Sequence, residues 1–389
     1  MKALILHRTL NLCGGGERVS LHIIKALMEA GHEVELCTRE KTNWNRVLGM
    51  LGVSLPMIPR EHLVSTRLRL GKLGIYQKLY QKVLAGISIE KIRGKFDVVI
   101  NTCGTDMLLL PTNIVYQHSP SVAVLFSEGL WKYHPSYLKY RRSYWRLYFE
   151  PFRFLETRRV KMIFKKSLLL TNSRFTKNII KKYIGIDAIV VYPPVEVDDY
   201  LRLSRSFDRE DAVIIISRFS PEKNLHLVPY IAKELPRVKF YVVGSVGGVG
   251  SKEYYQKIVQ LLRELDVSNV RLFANLPHEE KLRLIGRCKV LLHLMPFEHF
   301  GIAIVEGLAS GCVPVVHKSG GQWTDVVERG KYGIGYDKLS PSEIAEAITR
   351  ALSMWSPRLA KVLASSANRF SDERFRREVL YITERYINS

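Results

Sequence analysis

Short apolar runs alternate with longer amphipathic stretches along most of the chain, and the alternation starts twice. The first series reads KALILH, EVELCT, FDVVINT, NIVYQHS, SLLLTNS and AIVVYPP. After Tyr192-Pro193-Pro194 a second follows: DAVIIIS, KFYVVGS, NVRLFANL, KVLLHLM, CVPVVHK and GIGY. Each run has strand length and is closed by turn-forming residues. Between them lie helical patterns such as ERVSLHIIKALMEAGHE, where Val19, Ile23, Ala26 and Leu27 mark one face and Gly31 ends the pattern. Two others are KNLHLVPYIAKEL and KEYYQKIVQLLRELD. Strand and helix in turn predict an α/β fold with parallel sheets. The restart predicts two Rossmann-like domains, residues 1–195 and 196–370, with a linker near 193–210. Residues 371–389 contain SDERFRREVLYITERYI, an amphipathic helix opened by a Ser or Asp cap, expected to return to the first domain. Two such domains facing each other leave a cleft, and open parallel sheets bind ligands beyond the carboxyl ends of their strands.

A length of 389 residues also fits two domains better than one core. The hydrophobic fraction of 47% indicates a folded, globular chain. No apolar run approaches the roughly 18 to 20 residues that span a bilayer, and the apolar start is too short for a signal peptide. The five cysteines, Cys13, Cys37, Cys103, Cys288 and Cys312, are scattered and odd in number. That argues against a disulfide framework or zinc site and fits a reducing compartment. The net charge is +22. Through Val195 there are 31 Lys and Arg against 13 Asp and Glu, leaving +18; the remainder holds 28 against 24, leaving +4. The excess therefore belongs to the first half and draws it toward a polyanion, an acidic membrane surface or a nucleic acid.

The stretch EHFGIAIVEG places Glu298 and Glu306 eight positions apart in an otherwise apolar neighbourhood. Pro296 ends the preceding strand, FEHFG forms a loop, and a helix runs from near Gly301 to Ser310-Gly311. Glu298 then stands before the helix and Glu306 within it. The backbone N–H groups from Phe300 to Ala303 form an uncapped helix tip that attracts phosphate. Two acceptor carboxylates flanking an anion cradle suit a sugar nucleotide, with hydroxyls at both ends and a diphosphate between. A Glu capping its own helix and another on a solvated face is the ordinary alternative; unpaired carboxylates in a core are costly, which weighs against it. In ISRFSPEKN, Arg218 at a strand end and Lys223 at an expected helix start can converge on one anion, or can be plain surface charges. CGGGER puts Gly14, Gly15 and Gly16 before a helix, where phosphate or sugar can approach closely, although a ligand-free turn reads the same way. His118 in VYQHSP follows a strand, at a position expected to line a cleft.

Taken together these segments resemble the retaining glycosyltransferases of family 4, which have the GT-B fold. EHFGIAIVEGLASGCVPVVHKSGGQWTDVV is similar to that family's E-x7-E region, and ISRFSPEKN to its donor-phosphate motif. GGGERV and TNSRFTKNIIKKY…VVYPPV match as well. The wording of EHFGI…VVHKSGG and YPPV resembles the eukaryotic mannosyltransferases that extend dolichol-linked oligosaccharide from GDP-mannose on the cytosolic face. The resemblance implies that Glu298 contacts the transferred sugar and Glu306 the nucleotide ribose. It implies that Arg218 and Lys223 neutralise the diphosphate with the backbone of Phe300, Gly301 and Ile302. Gly15 and Gly16 would lie near donor phosphate and acceptor, and His118 beside the donor sugar. Where the mannosyltransferases carry an aromatic-His-aromatic-Pro string, this chain has YQHSP. Family members keep the anomeric configuration and usually need no metal; no cofactor is expected, and the favoured donor is GDP-mannose.

From Lys132 to Lys166 eleven Lys and Arg stand against two Glu, interleaved with Trp131, Tyr133, Tyr137, Tyr140, Tyr144, Trp145, Tyr148, Phe149, Phe152 and Phe154. Cations among interfacial aromatics suit a helix lying in a membrane surface. The segment Leu63 to Lys95 is similar. The expectation is a peripheral enzyme on the cytoplasmic membrane face, acting on a lipid-linked acceptor and binding no nucleic acid. An enzyme making a soluble glycoside or polysaccharide is the nearer alternative. A nucleic-acid-binding protein would leave Glu298 and Glu306 without a role, and a dinucleotide dehydrogenase would need a GxGxxG motif that is missing.

Overall fold

The computed structural model describes residues 1–64, 74–107, 109–120, 143–203, 208–247 and 250–388. The chain divides into two compact units, Met1–Pro193 with Phe375–Ser389, and Pro194–Arg374.

The first unit holds a seven-stranded sheet in the order β3-β2-β1-β4-β5-β6-β7, with every pair parallel. Its strands are β1 Lys2–Leu6, β2 Glu33–Thr38, β3 Arg60–Leu63, β4 Val98–Asn101, β5 Ile114–Gln117, β6 Leu168–Thr171 and β7 Ile189–Val190. Ala3, Leu4, Ile5 and Leu6 of β1 are all fully buried, as a strand covered by helices on both faces must be. The core gathers Ile5, Leu36 and Ile100 from the sheet, Val19, Ile23 and Leu27 from the helix Gly15–Glu29, and Phe375 and Val379 from the C-terminal helix Asp372–Ile387. Arg376 of that helix pairs with Glu29 at 2.6 Å. Two features of this unit differ from the sequence pattern. The edge strand β3, REHL, was not apparent, because an edge strand half open to water lacks an apolar run. The run AIVVYPP yields only two residues of strand before its prolines end it.

The second unit holds six parallel strands in the order β10-β9-β8-β11-β12-β13. They are β8 Glu210–Ile216, β9 Lys239–Gly244, β10 Val270–Ala274, β11 Cys288–His293, β12 Val313–His317 and β13 Ile334–Tyr336. This is the doubly wound Rossmann order. The expected helix over KNLHLVPYIAKEL is broken into two 3-10 turns, Pro221–Lys223 and Leu225–Leu227, and a helix confined to Val228–Glu234. Asn224 causes the break: it takes a left-handed conformation, φ 52°, and its side-chain amide donates to the Leu294 carbonyl at 3.1 Å.

Each sheet reverses its strand order once, between β1 and β4 in the first unit and between β8 and β11 in the second. At such a reversal the loops leaving the two central strands diverge and open a crevice. The sequence-predicted residues lie after these strands: the glycine loop after β1, Lys223 after β8 and Glu298 after β11. All five cysteines are free, and four of them are buried. Among the described residues no helix is long and apolar enough to cross a membrane.

Candidate functional site

In the second unit, β11 ends at His293 and the chain crosses to the helix Ile302–Ala309 through an eight-residue loop. Gly301, at φ 99°, turns the chain into that helix, and no side chain caps its N-terminus. Its first N–H groups are therefore open to an incoming anion. The loop is fixed from outside by the turn after β12. Ser319 Oγ accepts the Phe297 N–H at 2.8 Å, and the Gly321 N–H donates to the Glu298 carbonyl at 2.8 Å. The two backbones approach so closely that a Cβ on Gly320 would lie 2.3 Å from the Glu298 carbonyl oxygen, and one on Gly321 2.0 Å from that of His299. The SGG of HKSGGQW is thus a steric requirement for seating the Glu298 loop.

Glu298 points inward. Its Oε2 accepts from Lys223 Nζ at 2.5 Å and faces His293 Nε2 at 3.3 Å. Burial alone would push the Glu298 carboxyl up; the Lys223 ammonium and the His293 hydrogen bond outweigh it and hold the group well below the ordinary carboxylate range. Burial pushes the His293 imidazole down. Its Nε2 then carries the proton and donates to Glu298, since a carboxylate only accepts. Gln322 is fully buried beside this group and donates from Nε2 to the Met295 carbonyl at 2.8 Å.

Lys223 thus meets Glu298. Arg218 is different: its side chain is 54% exposed, and its described partner is Glu222 at 3.7 Å. Phe300 buries its ring against Phe370, centroids 5.2 Å apart, so only its backbone is available to a ligand. Gly301 and Ile302 form the open helix tip. Glu306, one helical turn further on, is buried and accepts from Lys281 Nζ at 2.9 Å. Lys281 is itself buried, with its ammonium 5.6 Å from the ring centroid of Tyr200. Neither His293 nor Lys281 is marked by the sequence alone. His293 looked like one more residue of the buried run KVLLHL. Lys281, in HEEKLRL, carries no local signal, because its burial comes from Tyr200 covering it.

In the first unit a second polar cluster surrounds the glycine loop. Glu17 Oε2 accepts the Gly14 N–H at 2.8 Å, a capping contact from the third residue of the helix. Its Oε1 faces His7 Nε2 at 3.3 Å. His7 Nδ1 lies 2.8 Å from Ser20 Oγ and 2.9 Å from Thr102 Oγ1. His118 Nε2 lies 2.6 Å from the Thr102 carbonyl oxygen. A Cβ on Gly16 would stand 3.5 Å from the same nitrogen, so the bare loop packs directly on His118, while Gly15 is exposed. Burial, with His7 nearby, pushes the His118 imidazole down to about 4. Neutral His118 must donate from Nε2 to that carbonyl, which leaves Nδ1 as a hydrogen-bond acceptor. Glu17 follows the three glycines at capping-box spacing, so the sequence carried a signal for it. Nothing marked His7 or Thr102, which reach the loop only through sheet register.

Residues 13–199 match the family model described as Glycosyltransferase Family 4, and residues 197–369 match Glycosyl transferases group 1. Between them these two models take in most of the chain. The chain carries a Glycosyltransferase Family 4 domain followed by a Glycosyl transferases group 1 domain. Curated relatives named GDP-Man:Man(3)GlcNAc(2)-PP-Dol alpha-1,2-mannosyltransferase include that of Dictyostelium discoideum, 28% identical over 242 residues, covering 57% of this chain and 48% of that one. The Neurospora crassa protein is 33% identical over 204 residues, 48% and 37% of the two chains, and the human one 28% over 235 residues, 56% and 47%. The matched stretch spans less than half the length of each of these relatives. Among solved structures, Anabaena HepE in complex with UDP and glucose superposes with a TM-score of 0.70 at 17% identity over 99% of both chains. Sucrose-phosphate synthase from Thermosynechococcus elongatus gives 0.71 at 14%, again over 99% of both. These likenesses show the fold, two Rossmann-like parallel-sheet domains of the GT-B class expected from the sequence.

Of the aromatic and basic stretch, Trp131, Tyr133, Tyr137 and Tyr140 lie outside the described residues. Its remainder forms the helix Ser143–Lys166, in which Phe149 and Phe152 are buried and Tyr76 stacks edge-on against Tyr148 and Phe152. Part of the stripe is therefore core. Phe154 and Leu147 are 63% and 80% exposed, and Tyr80, Val83 and Ile87 are exposed on the helix Gly74–Arg93. A buried ion pair, Lys82 to Glu156 at 3.0 Å, joins the two helices.

Proposed function

We propose that this protein transfers mannose, with retention of configuration, from GDP-mannose to a lipid-linked glycan while seated on the cytoplasmic face of a membrane. The observation that carries the reading is the Glu298 carboxylate clasped by Lys223 and His293 beside the uncapped tip of the helix Ile302–Ala309. A diphosphate suits the helix tip and Lys223, with Arg218 exposed nearby in sequence to join it. Sugar hydroxyls suit Glu298, and the ribose diol is assigned to Glu306. Gly15, Gly16 and His118 are assigned to the donor sugar and acceptor.

Breaking the sugar–phosphate bond builds positive charge at the anomeric carbon and negative charge on the leaving diphosphate. Lys223, Arg218 and the backbone donors stabilise the second, each well-placed donor contributing about 3 to 4 kcal/mol. The departing phosphate takes the acceptor proton on the same face, so no enzymic nucleophile, cofactor or metal is assigned a step. The names of the curated relatives support mannose and the lipid-linked acceptor. The exposed apolar residues of the two first-unit helices, set in a half-chain of charge +18, support docking on an anionic surface, where each basic residue is worth about 1 kcal/mol.

Nucleotide sugars screened against thermal unfolding test the donor: at 100 times its Kd a ligand adds about 2.7 kcal/mol. GDP-mannose should raise the midpoint most, and radiolabelled mannose should pass to a lipid-linked acceptor. Protection by UDP-sugars alone would overturn the donor assignment. Salt-sensitive co-sedimentation with anionic vesicles, without binding to oligonucleotides, tests the membrane surface; the reverse result removes it.

A further inference from the structure

Glu298 presents two unlike carboxylate oxygens. Oε2 takes both Lys223 Nζ at 2.5 Å and His293 Nε2 at 3.3 Å, which leaves Oε1 as the oxygen available to a ligand. The two holders differ in kind. Lys223 sits on a one-turn 3-10 segment, its flexible side chain 14% exposed, and is assigned above to the donor diphosphate. His293 is the last residue of the central strand β11, 5% exposed, and cannot leave. Gln322, fully buried and anchored by its own amide to the Met295 carbonyl, packs beside the ring. An ammonium has three donors on a flexible stem and can turn some or all of them to a phosphate; a His built into the sheet keeps its single Nε2–H where it is.

We propose that His293 is the positioning residue that keeps Glu298 aimed at the donor sugar once Lys223 engages the diphosphate. Its Nε2–H holds Oε2 throughout, so that Oε1 alone meets a sugar hydroxyl. His293 itself touches no substrate. This rests on the donor reading above, and it assigns sugar recognition, as distinct from nucleotide recognition, to the pair His293–Glu298.

The test compares His293→Leu, His293→Asn and His293→Gln in the full chain, measuring the Kd of GDP, the Kd of GDP-mannose, and kcat and KM for transfer. The Gln amide reaches the place of Nε2, and the Asn amide stops short of it. Leu and Asn should each lower kcat/KM at least 10-fold and abolish the preference for GDP-mannose over GDP, with the Kd of GDP unchanged within twofold. Gln should recover most of the loss. Wild-type transfer by the Asn variant overturns the proposal. So does a loss of GDP affinity that matches the loss for GDP-mannose, because a merely structural role would weaken both together. Should the Leu variant fail to fold, Asn against Gln decides alone. A wild-type protein that neither binds GDP-mannose nor transfers from it would instead refute the donor reading.

Discussion

Replacing Gly321 with Ala adds one methyl group at the point where two loops are packed most tightly. Gly321 has φ −67°, so Ala meets no backbone strain there. The new Cβ would lie 2.0 Å from the His299 carbonyl oxygen, 2.8 Å from its carbon and 3.3 Å from Phe300 Cα. Contacts of this kind are not found under 3.0 Å, so the His299 carbonyl must retreat by about 1 Å. It adjoins Glu298, whose carbonyl accepts the Gly321 N–H, and the loop cannot yield without carrying Glu298 with it. A shift of about 1 Å in a reacting constellation costs on the order of 100-fold in rate, and overpacking costs roughly 1 to 3 kcal/mol. The assay is the mannose transfer proposed above, together with the urea midpoint of unfolding. Gly49→Ala is the control: Gly49 is exposed within the helix Trp44–Leu51, a Cβ there meets nothing within 4 Å, and Ala should stabilise by about 0.5 to 1 kcal/mol. Wild-type turnover and midpoint for Gly321→Ala would refute the idea that the SGG turn fixes the Glu298 loop.

Glu298→Gln keeps the shape of the side chain, but its amide must turn its oxygen to Lys223 and His293 and present an N–H2 where Oε1 stood; transfer should fall at least about 100-fold, read at saturating donor. Lys281→Met removes the ammonium from a buried ion pair with Glu306 and should cost about 3 to 5 kcal/mol in chemical denaturation, while Lys281→Met with Glu306→Leu should regain most of that stability and still bind nucleotide poorly. His118 takes up its proton at about 4 in the folded protein against an ordinary 6.5, so between those values the unfolded chain binds more protons. Stability should therefore decline as pH falls from 6.5 toward 4, and the urea midpoint of His118→Asn should decline less over the same interval.

Much of the architecture was legible in the residue pattern because a parallel sheet covered on both faces needs unbroken apolar strands, and helices over it need one apolar face. KALILH, KVLLHLM and CVPVVHK were read as strands for that reason, and they are β1, β11 and β12. REHL carries no such run because an edge strand makes no such demand, and the helix expected from Lys223 is broken before Val228 because Asn224 bonds to a loop seventy residues away. Glu298 and the glycine loop stand out in the sequence, since carboxylates in apolar runs and glycines before helices are locally costly, whereas Lys223 reads equally as a surface charge until it meets Glu298.

What local pattern could not carry is partnership. His293 and Lys281 are ordinary residues of a strand and a helix until β8 lies beside β11 and Tyr200 closes over the helix His278–Gly286. The amino-acid sequence alone determined the α/β class, the two sheets and the residue types that a nucleotide sugar would need. Only the tertiary structure decided which cation meets which carboxylate, because those distances follow from strand order and register, and both are properties of contacts between segments far apart along the chain.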